Sequence, residues 1–324
     1  MKNPVLLTFG FPNPNSPRYR NLVEMYESEG YTVIECLTDA KGFVGKHRDL
    51  LKQYKIHRKE YDALLVNFPG YYLMPIAWWL TRFPRKQVIF DAFISVSDTL
   101  VSDRRKVSWA NPLAWMYYII DVISCFLADE VLIDTEAHKR FFMKRFFLKA
   151  KKIRVVYVGT LKDLFHPGPK ENKLPEGKFN ALFIGSYIPL QGIEHILHAA
   201  KILNDQQDIH ITLIGNGQTY DEMTALAYDL GLKNVTFLDF MPIEELPHYL
   251  RSCDVALGIF GTSDKANRVI PHKVYDAIGC KVPVITAQNL AIGEKFTDGK
   301  EVFLCKTGNA ESLAQAIVRV KDSQ

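Results

Sequence analysis

The chain has 324 residues, a formal net charge of +4, and 48% hydrophobic against 23% charged residues. That length suits two domains, the composition is that of a well-packed globular protein, and the small charge argues against a nucleic-acid binder that relies on bulk electrostatics. Five cysteines (Cys36, Cys125, Cys253, Cys280, Cys305) are odd in number and lack CxxC spacing, so they read as reduced core residues of a cytosolic protein rather than a disulfide or metal framework.

Short apolar runs separated by helical patterns recur along the whole chain. In the first half they are Val5–Gly10, Tyr31–Cys36, Ala63–Phe68, Gln87–Phe93, Glu130–Thr135 and Ile153–Gly159. In the second half they are Asn180–Ser186, Ile211–Gly217, Val235–Phe240, Asp254–Phe260, Val282–Ala287 and Val302–Thr307. Near-continuous apolar strands alternating with helices indicate parallel sheets covered on both faces. The predicted fold class is therefore α/β, with two Rossmann-like domains. Asp163–Lys178, with three prolines and two glycines, reads as a linker, so the expected domains are 1–162 and 179–324. Ligands of doubly wound sheets bind at the C-terminal strand ends, which makes a cleft between the domains the expected active site. The N-terminal apolar run reads as too short for a signal peptide, and no run approaches the roughly 18 apolar residues of a spanning helix.

Two first-half segments mix aromatics with cations. Pro75–Lys86 sets Trp78 and Trp79 beside three cations, and Phe141–Lys152 carries four phenylalanines among five. Such a surface can attach peripherally to an anionic membrane on its cytoplasmic side; the competing reading is core aromatics with flanking charge.

The second half holds the sharpest signals. Asn180–Leu203 is a strand, a polar turn with Gly185, Ser186, Gln191 and Gly192, and then an amphipathic helix. Gly215, Asn216 and Gly217 follow the next strand, and Met241 lies in a third turn. Gly261–Ala287 then switches from strand to helix and back. Lys265, Arg268 and Lys273 are delivered to a helix start marked by Ile270 and Pro271, where backbone N–H groups and the helix dipole favour a diphosphate. Asp276, on the helix, is placed to accept hydrogen bonds from a ribose. The alternative is a solvated basic face on an ordinary βαβ crossover.

The order of these pieces resembles the C-terminal, nucleotide-sugar-binding domain of family 4 glycosyltransferases, which have the GT-B fold. The residues that carry it are the opening strand with PLQG, the IGNG turn, the EELPHY run ending in DVALGIF, and RVIPHKVYDAIGCKVPVIT; VVYVG and LFHPG resemble the lead-in to that domain. The resemblance implies retaining transfer of a sugar from a nucleotide diphosphate donor, with no metal and no cofactor beyond that co-substrate. It also implies a role in glycan or glycolipid assembly. Two departures stand out. Where many members have two glutamates separated by seven residues, this chain has Arg268 and Asp276. Where many have an arginine and a lysine at the first turn, it has Ser186 and Gln191. Relocated cations, Lys265, Arg268 and Lys273, would supply the missing charge.

On the acceptor side the resemblance points to Asp91, at a strand end, as a catalytic carboxylate, with Asp98 following in an alcohol-rich stretch. N-capping or surface pairing competes for Asp98 and Asp103. His138 and the proline-rich Pro12–Arg20 are further cleft candidates. No metal-ligand spacing occurs. The expected partners are a nucleotide sugar and a glycan, lipid-linked or small-molecule acceptor, with an anionic membrane as a further candidate and no nucleic acid. The runner-up is a non-catalytic nucleotide-binding or scaffold homologue in a membrane-associated glycan assembly complex. A nicotinamide-dependent dehydrogenase lacks its GxGxxG turn here.

Overall fold

The computed structural model describes residues 3–324, which form two compact units, the first ending at Val158 and the second running Gly159–Gln324. The first unit runs β1 (Val5–Gly10), α1 (Pro17–Ser28), β2 (Thr32–Leu37), α2 (Phe43–His57), β3 (Ala63–Val66), α3 (Met74–Leu80) and β4 (Gln87–Phe93). It continues through α4 (Pro112–Leu127), β5 (Glu130–Ile133), α5 (Glu136–Phe146) and β6 (Ile153–Val155). All pairings are parallel, in the order β2-β1-β3-β4-β5-β6. The side-chain period of two sends Leu7, Phe9, Leu64, Val66, Phe90 and Ile133 into one buried layer. Leu6, Leu65, Ile89 and Leu132 face the other layer, against Leu22 and Tyr26 of α1. Both faces of the inner strands β1, β3, β4 and β5 are covered, which is why they read as near-continuous apolar runs.

The second unit runs β7 (Phe179–Ile184), α6 (Ile193–Ile202), β8 (Ile209–Ile214), α7 (Tyr220–Asp229), β9 (Val235–Leu238) and α8 (Leu246–Leu250). It continues through β10 (Val255–Leu257), α9 (His272–Gly279), β11 (Val284–Ala287), β12 (Val302–Cys305) and α10 (Ala310–Lys321). Its sheet order, β12-β11-β10-β7-β8-β9, places the reversal of winding between β7 and β10. Phe183, Leu213, Leu257 and Ile285 of the sheet pack with Ile196 and Leu197 of α6 and Ile317 of α10 in one core.

Two expectations are corrected. Residues 163–178 are not a free linker: they are a belt on the second unit. Phe165 and Leu174 are buried, Glu171 accepts from Arg251 Nε at 2.9 Å and pairs with His248, and Lys170 Nζ reaches Asp254 Oδ1 at 2.6 Å. Prolines and glycines shape the path of the belt, and the scattered anchors hold it. Phe141–Lys152 is not an amphipathic surface helix either. Phe142 and Phe146 are fully buried in the first core, and Phe147 alone of the four phenylalanines is exposed, at the left-handed residue that ends α5. On α3, Trp79 is exposed, and the Arg82 guanidinium lies 5.0 Å from the Trp78 ring.

Candidate functional site

The C-terminal ends of β7, β8 and β10 bring most of the expected donor residues together. Two close backbone approaches make this possible. Gly192 is left-handed (φ +66°), and a Cβ there would strike the backbone of Gly261. Only glycine lets the β7–α6 turn lie on the loop that follows β10, where Phe260 N donates to Gln191 O at 2.9 Å. Gly215 lies equally close to the Gly185 carbonyl. These contacts join the GSY, IGNG and Gly261 turns into one surface at the point where the winding reverses, where doubly wound sheets bind ligands.

Lys273 is the centre of this surface. Its ammonium donates to Gln191 Oε1 at 2.7 Å and lies 3.5 Å from the centroid of the Phe183 ring. It passes so close to Gly185 that a Cβ there would sit 2.6 Å from Nζ. Among the described residues it has no ion-pair partner. Burial alone pushes its pKa well below the usual lysine value. The ammonium is thus held by an amide oxygen and a ring face, with no carboxylate beside it. Asp276, one turn further on, accepts from the Thr160 hydroxyl at 2.5 Å. Burial raises its carboxyl to about 7, against the lowering effect of that hydrogen bond. Lys273 and Asp276 line one cavity with Phe165, Leu182 and Leu257. Ile184 and Leu246 are shared with a second cavity of about 170 Å³, lined by Gly185, Ser186, Gly215, Asn216, Phe240 and Met241.

α9 begins at His272 with no side-chain cap: Pro271 is the extended residue before it, not part of the first turn as expected, because its ψ of 152° is not helical. Ile270 is buried beneath it. Arg268, half-buried, closes the 3₁₀ turn Ala266–Arg268, and Lys265 is buried at 7% exposure rather than solvated. Asn289, which the sequence reading passed over, ties this loop down by donating to Ala266 O and Val269 O. Gly217 abuts the backbone of Tyr187, and Asn216 bridges to Asp239, whose carboxyl is held below its usual range by the Phe240 N–H and by Asn216. A wider groove between α6 and α10, lined by Ile202, Ala314 and Val318, lies at the opposite, helix-C-terminal end of α6 from these turns.

In the first unit the structure is less accommodating. Asp91 is 2% exposed and clamped by Arg18, with Nη2 at 2.7 Å and Nε at 3.1 Å from the same oxygen. Burial raises its pKa against the pull of that guanidinium. A carboxylate enclosed this way has no surface for a substrate, so its role as a catalytic group is not supported by its geometry. Asp98 is also buried, at the start of a single π-helical turn, Asp98–Asp103. The segment before it is held by Asp121, which accepts from the hydroxyls of Ser95 and Ser97 and the N–H groups of Val96 and Ser97, all within 2.9 Å. His138 is fully buried against Asp134, Nδ1 to Oδ1 2.7 Å. Sequence reasoning missed Arg18, Asp121 and Thr160. Asp121 carried a signal, as the sole charge within the apolar run of α4.

Residues 168–324 match the family described as Glycosyl transferases group 1. That match spans nearly the whole of the second unit. Curated relatives include a chitobiosyldiphosphodolichol beta-mannosyltransferase of Kluyveromyces lactis, 26% identical over 77% of this chain and 63% of its own length. Another is the amylovoran biosynthesis glycosyltransferase AmsK of Erwinia amylovora, 25% identical over 54% of this chain and 43% of its own. The chain thus spans less than two thirds of these relatives. Among solved structures, HepE of Anabaena in complex with UDP and glucose aligns over 99% of this chain and 91% of its own, at 18% identity and a TM-score of 0.71. Sucrose-phosphate synthase of Thermosynechococcus elongatus aligns over 99% and 90%, at 16% identity and 0.75. These likenesses give the fold: two Rossmann-like domains of the GT-B type.

Proposed function

We propose that this protein is a glycosyltransferase that moves a sugar from a nucleoside diphosphate donor to a glycan or lipid-linked acceptor. The observation that carries the reading is Lys273, a partly desolvated ammonium with no carboxylate partner at an uncapped helix start. In the bound state the donor diphosphate meets Lys273, Arg268 and the first N–H groups of α9, and the nucleoside enters the cavity bounded by Gly185, Gly215, Phe240 and Met241. Asp276 accepts from the ribose in exchange for its bond from Thr160.

Transfer breaks the bond between the anomeric carbon and the diphosphate oxygen, forms one to an acceptor hydroxyl oxygen, and passes the hydroxyl proton to the departing diphosphate. Negative charge grows on the departing diphosphate, and fixed cations and N–H groups beside it lower that barrier without a metal ion. Asp98, buried like Asp91, is held in place through Ser95 and Asp121, and Asp91 serves to position Arg18. Retention at the anomeric carbon rests on the family resemblance. A lipid-linked acceptor is supported by the diphosphodolichol named for one relative. A non-catalytic homologue is the second reading, favoured by Arg268 where many members of the resembled family have a glutamate and by the enclosed Asp91.

The test is a panel of UDP- and GDP-sugars with the full chain, read as donor binding, hydrolysis and product anomer, with and without EDTA. Donor turnover that persists in EDTA with an α-linked product from an α-linked donor is expected. Binding without any turnover supports the scaffold, and a panel in which no nucleotide sugar binds overturns both readings.

A further inference from the structure

The outer face of α4 is built the wrong way round for a helix in water. Leu113, Trp115, Met116, Ile119, Ile123 and Phe126 are each 45–57% exposed. Trp115, Ile119, Ile123 and Phe126, with Met116 beside them, fall on one side of the helix at 3.6-residue spacing. The helix has one charged residue, Asp121, and it is buried on the opposite side, holding the Ser95–Ser97 segment. A surface helix ordinarily turns charge to solvent; this one presents four turns of uncharged apolar surface.

The elements packed on α4 add exposed aromatics and positive charge. α3 and α5 both pack on α4. From the α3 side come Trp79 and Phe83, 68% and 90% exposed, and from the end of α5 comes Phe147. Trp109 packs edge-on to Trp115 with centroids 6.0 Å apart, and the Arg145 guanidinium lies 4.9 Å from the Trp109 ring. Lys152 Nζ donates to the Phe126 carbonyl at 2.9 Å. From Glu136 to Lys152 the chain has seven lysines and arginines and one acid, and Arg104, Arg105 and Lys106 precede α4 in the chain.

We propose that α4 is an in-plane docking helix for an anionic lipid bilayer. The stripe from Trp115 to Phe126 enters the headgroup–acyl boundary, and the α5 and 104–106 cations bind lipid phosphates. A protein partner is the poorer fit, because lysine is depleted at protein interfaces whereas lysine, arginine and tryptophan together mark a bilayer interface. Each cation near an anionic surface adds attraction that salt screens. At 16 residues α4 lies along the surface, and among the described residues no helix is long and apolar enough to cross a membrane. The proposal is independent of the donor site and would place the acceptor side of the protein at a lipid surface.

The experiment is flotation of the full chain with vesicles of phosphatidylcholine alone or mixed with phosphatidylglycerol, at low and high salt. Expected results are binding to the anionic vesicles at low salt, at least tenfold weaker binding for I119E/I123E, and a clear loss for K149E/K151E. Circular dichroism melting of the variants would match the parent, since all four side chains face solvent, and donor binding would be unchanged. Failure of the parent to float, or equal flotation of parent and I119E/I123E, overturns the proposal. So does dimerisation of the parent that I119E abolishes without any lipid binding.

Discussion

Lys273 and Asp276 share one helix and one cavity, and burial acts on them in opposite directions: it pushes the ammonium pKa down and the carboxyl pKa up. A partly desolvated ammonium without a carboxylate costs the unliganded protein stability. Lys273→Met should therefore raise unfolding free energy by about 0.5–2 kcal/mol, the usual range for relieving a functional site, while weakening donor binding tenfold or more; a melt and a titration of the same preparation check both. A variant that is less stable and binds donor normally would show that the ammonium is structural. For Asp276 the sign follows from its raised value of about 7. Unfolded aspartate ionises near 4, so between about pH 4 and 7 the native state holds a proton that the unfolded state has lost. Stability then falls as pH rises through that window. Asp276→Asn removes this contribution. The stability of the parent relative to the variant should decline from pH 4 to 8, by roughly 1–4 kcal/mol in total, measured by urea denaturation at each pH. A flat difference across that range would mean the carboxyl is not desolvated.

Two short elements, one in each unit, each depend on one side chain or its absence. The β7–α6 turn rests on the backbone of Gly261 only because Gly192 has no Cβ and sits at positive φ. Gly192→Ala adds both strain and a clash, so it should destabilise by about 1–3 kcal/mol and weaken donor binding more than tenfold by moving Gln191 away from Lys273. Unchanged donor affinity would show that this turn does not shape the site. On the other unit, Asp121 gathers the Ser95–Ser97 segment with four hydrogen bonds, two of them from backbone N–H groups. Removing the carboxylate leaves those donors buried without partners, and Asp121→Ala should cost about 3–5 kcal/mol. An equilibrium unfolding curve reads this directly, and a loss below 1 kcal/mol would mean water replaces the carboxylate.

At the scale of the molecule there are two independently cored sheets with different strand orders, and the proposed donor site lies on the second. A nucleoside diphosphate should therefore slow amide exchange at Gly185–Gly192, Gly215–Gly217 and Val269–Asp276, and leave α2 and β2 of the first unit unprotected. Hydrogen exchange of the full chain with and without UDP or GDP checks this. Protection confined to the first unit, or to the α6–α10 groove, would relocate the site.

All twelve strands among the described residues were legible in the chain; the inner ones were plainest, because a parallel strand buried on both faces must be apolar at nearly every position. The crossover at Gly261–Ala287 was legible as well: glycines, cations and a helix start are local chemistry. Partnership was not. That Lys273 would sit beside Gln191 and Gly185, 82 and 88 residues away in sequence, follows from the order in which β7 and β10 lie side by side. That Asp91 would be consumed by Arg18, and that Phe142 and Phe146 would turn inward, follows from which helix face each strand leaves to cover. α4 shows the same division. Its sequence announces an apolar helix, but only packing decides which side is core, and here packing buries the lone charge and leaves the apolar stripe outside. Local pattern reports how much of a segment avoids water; the tertiary structure alone decides what each side chain meets, because that depends on groups the chain brings together from far away.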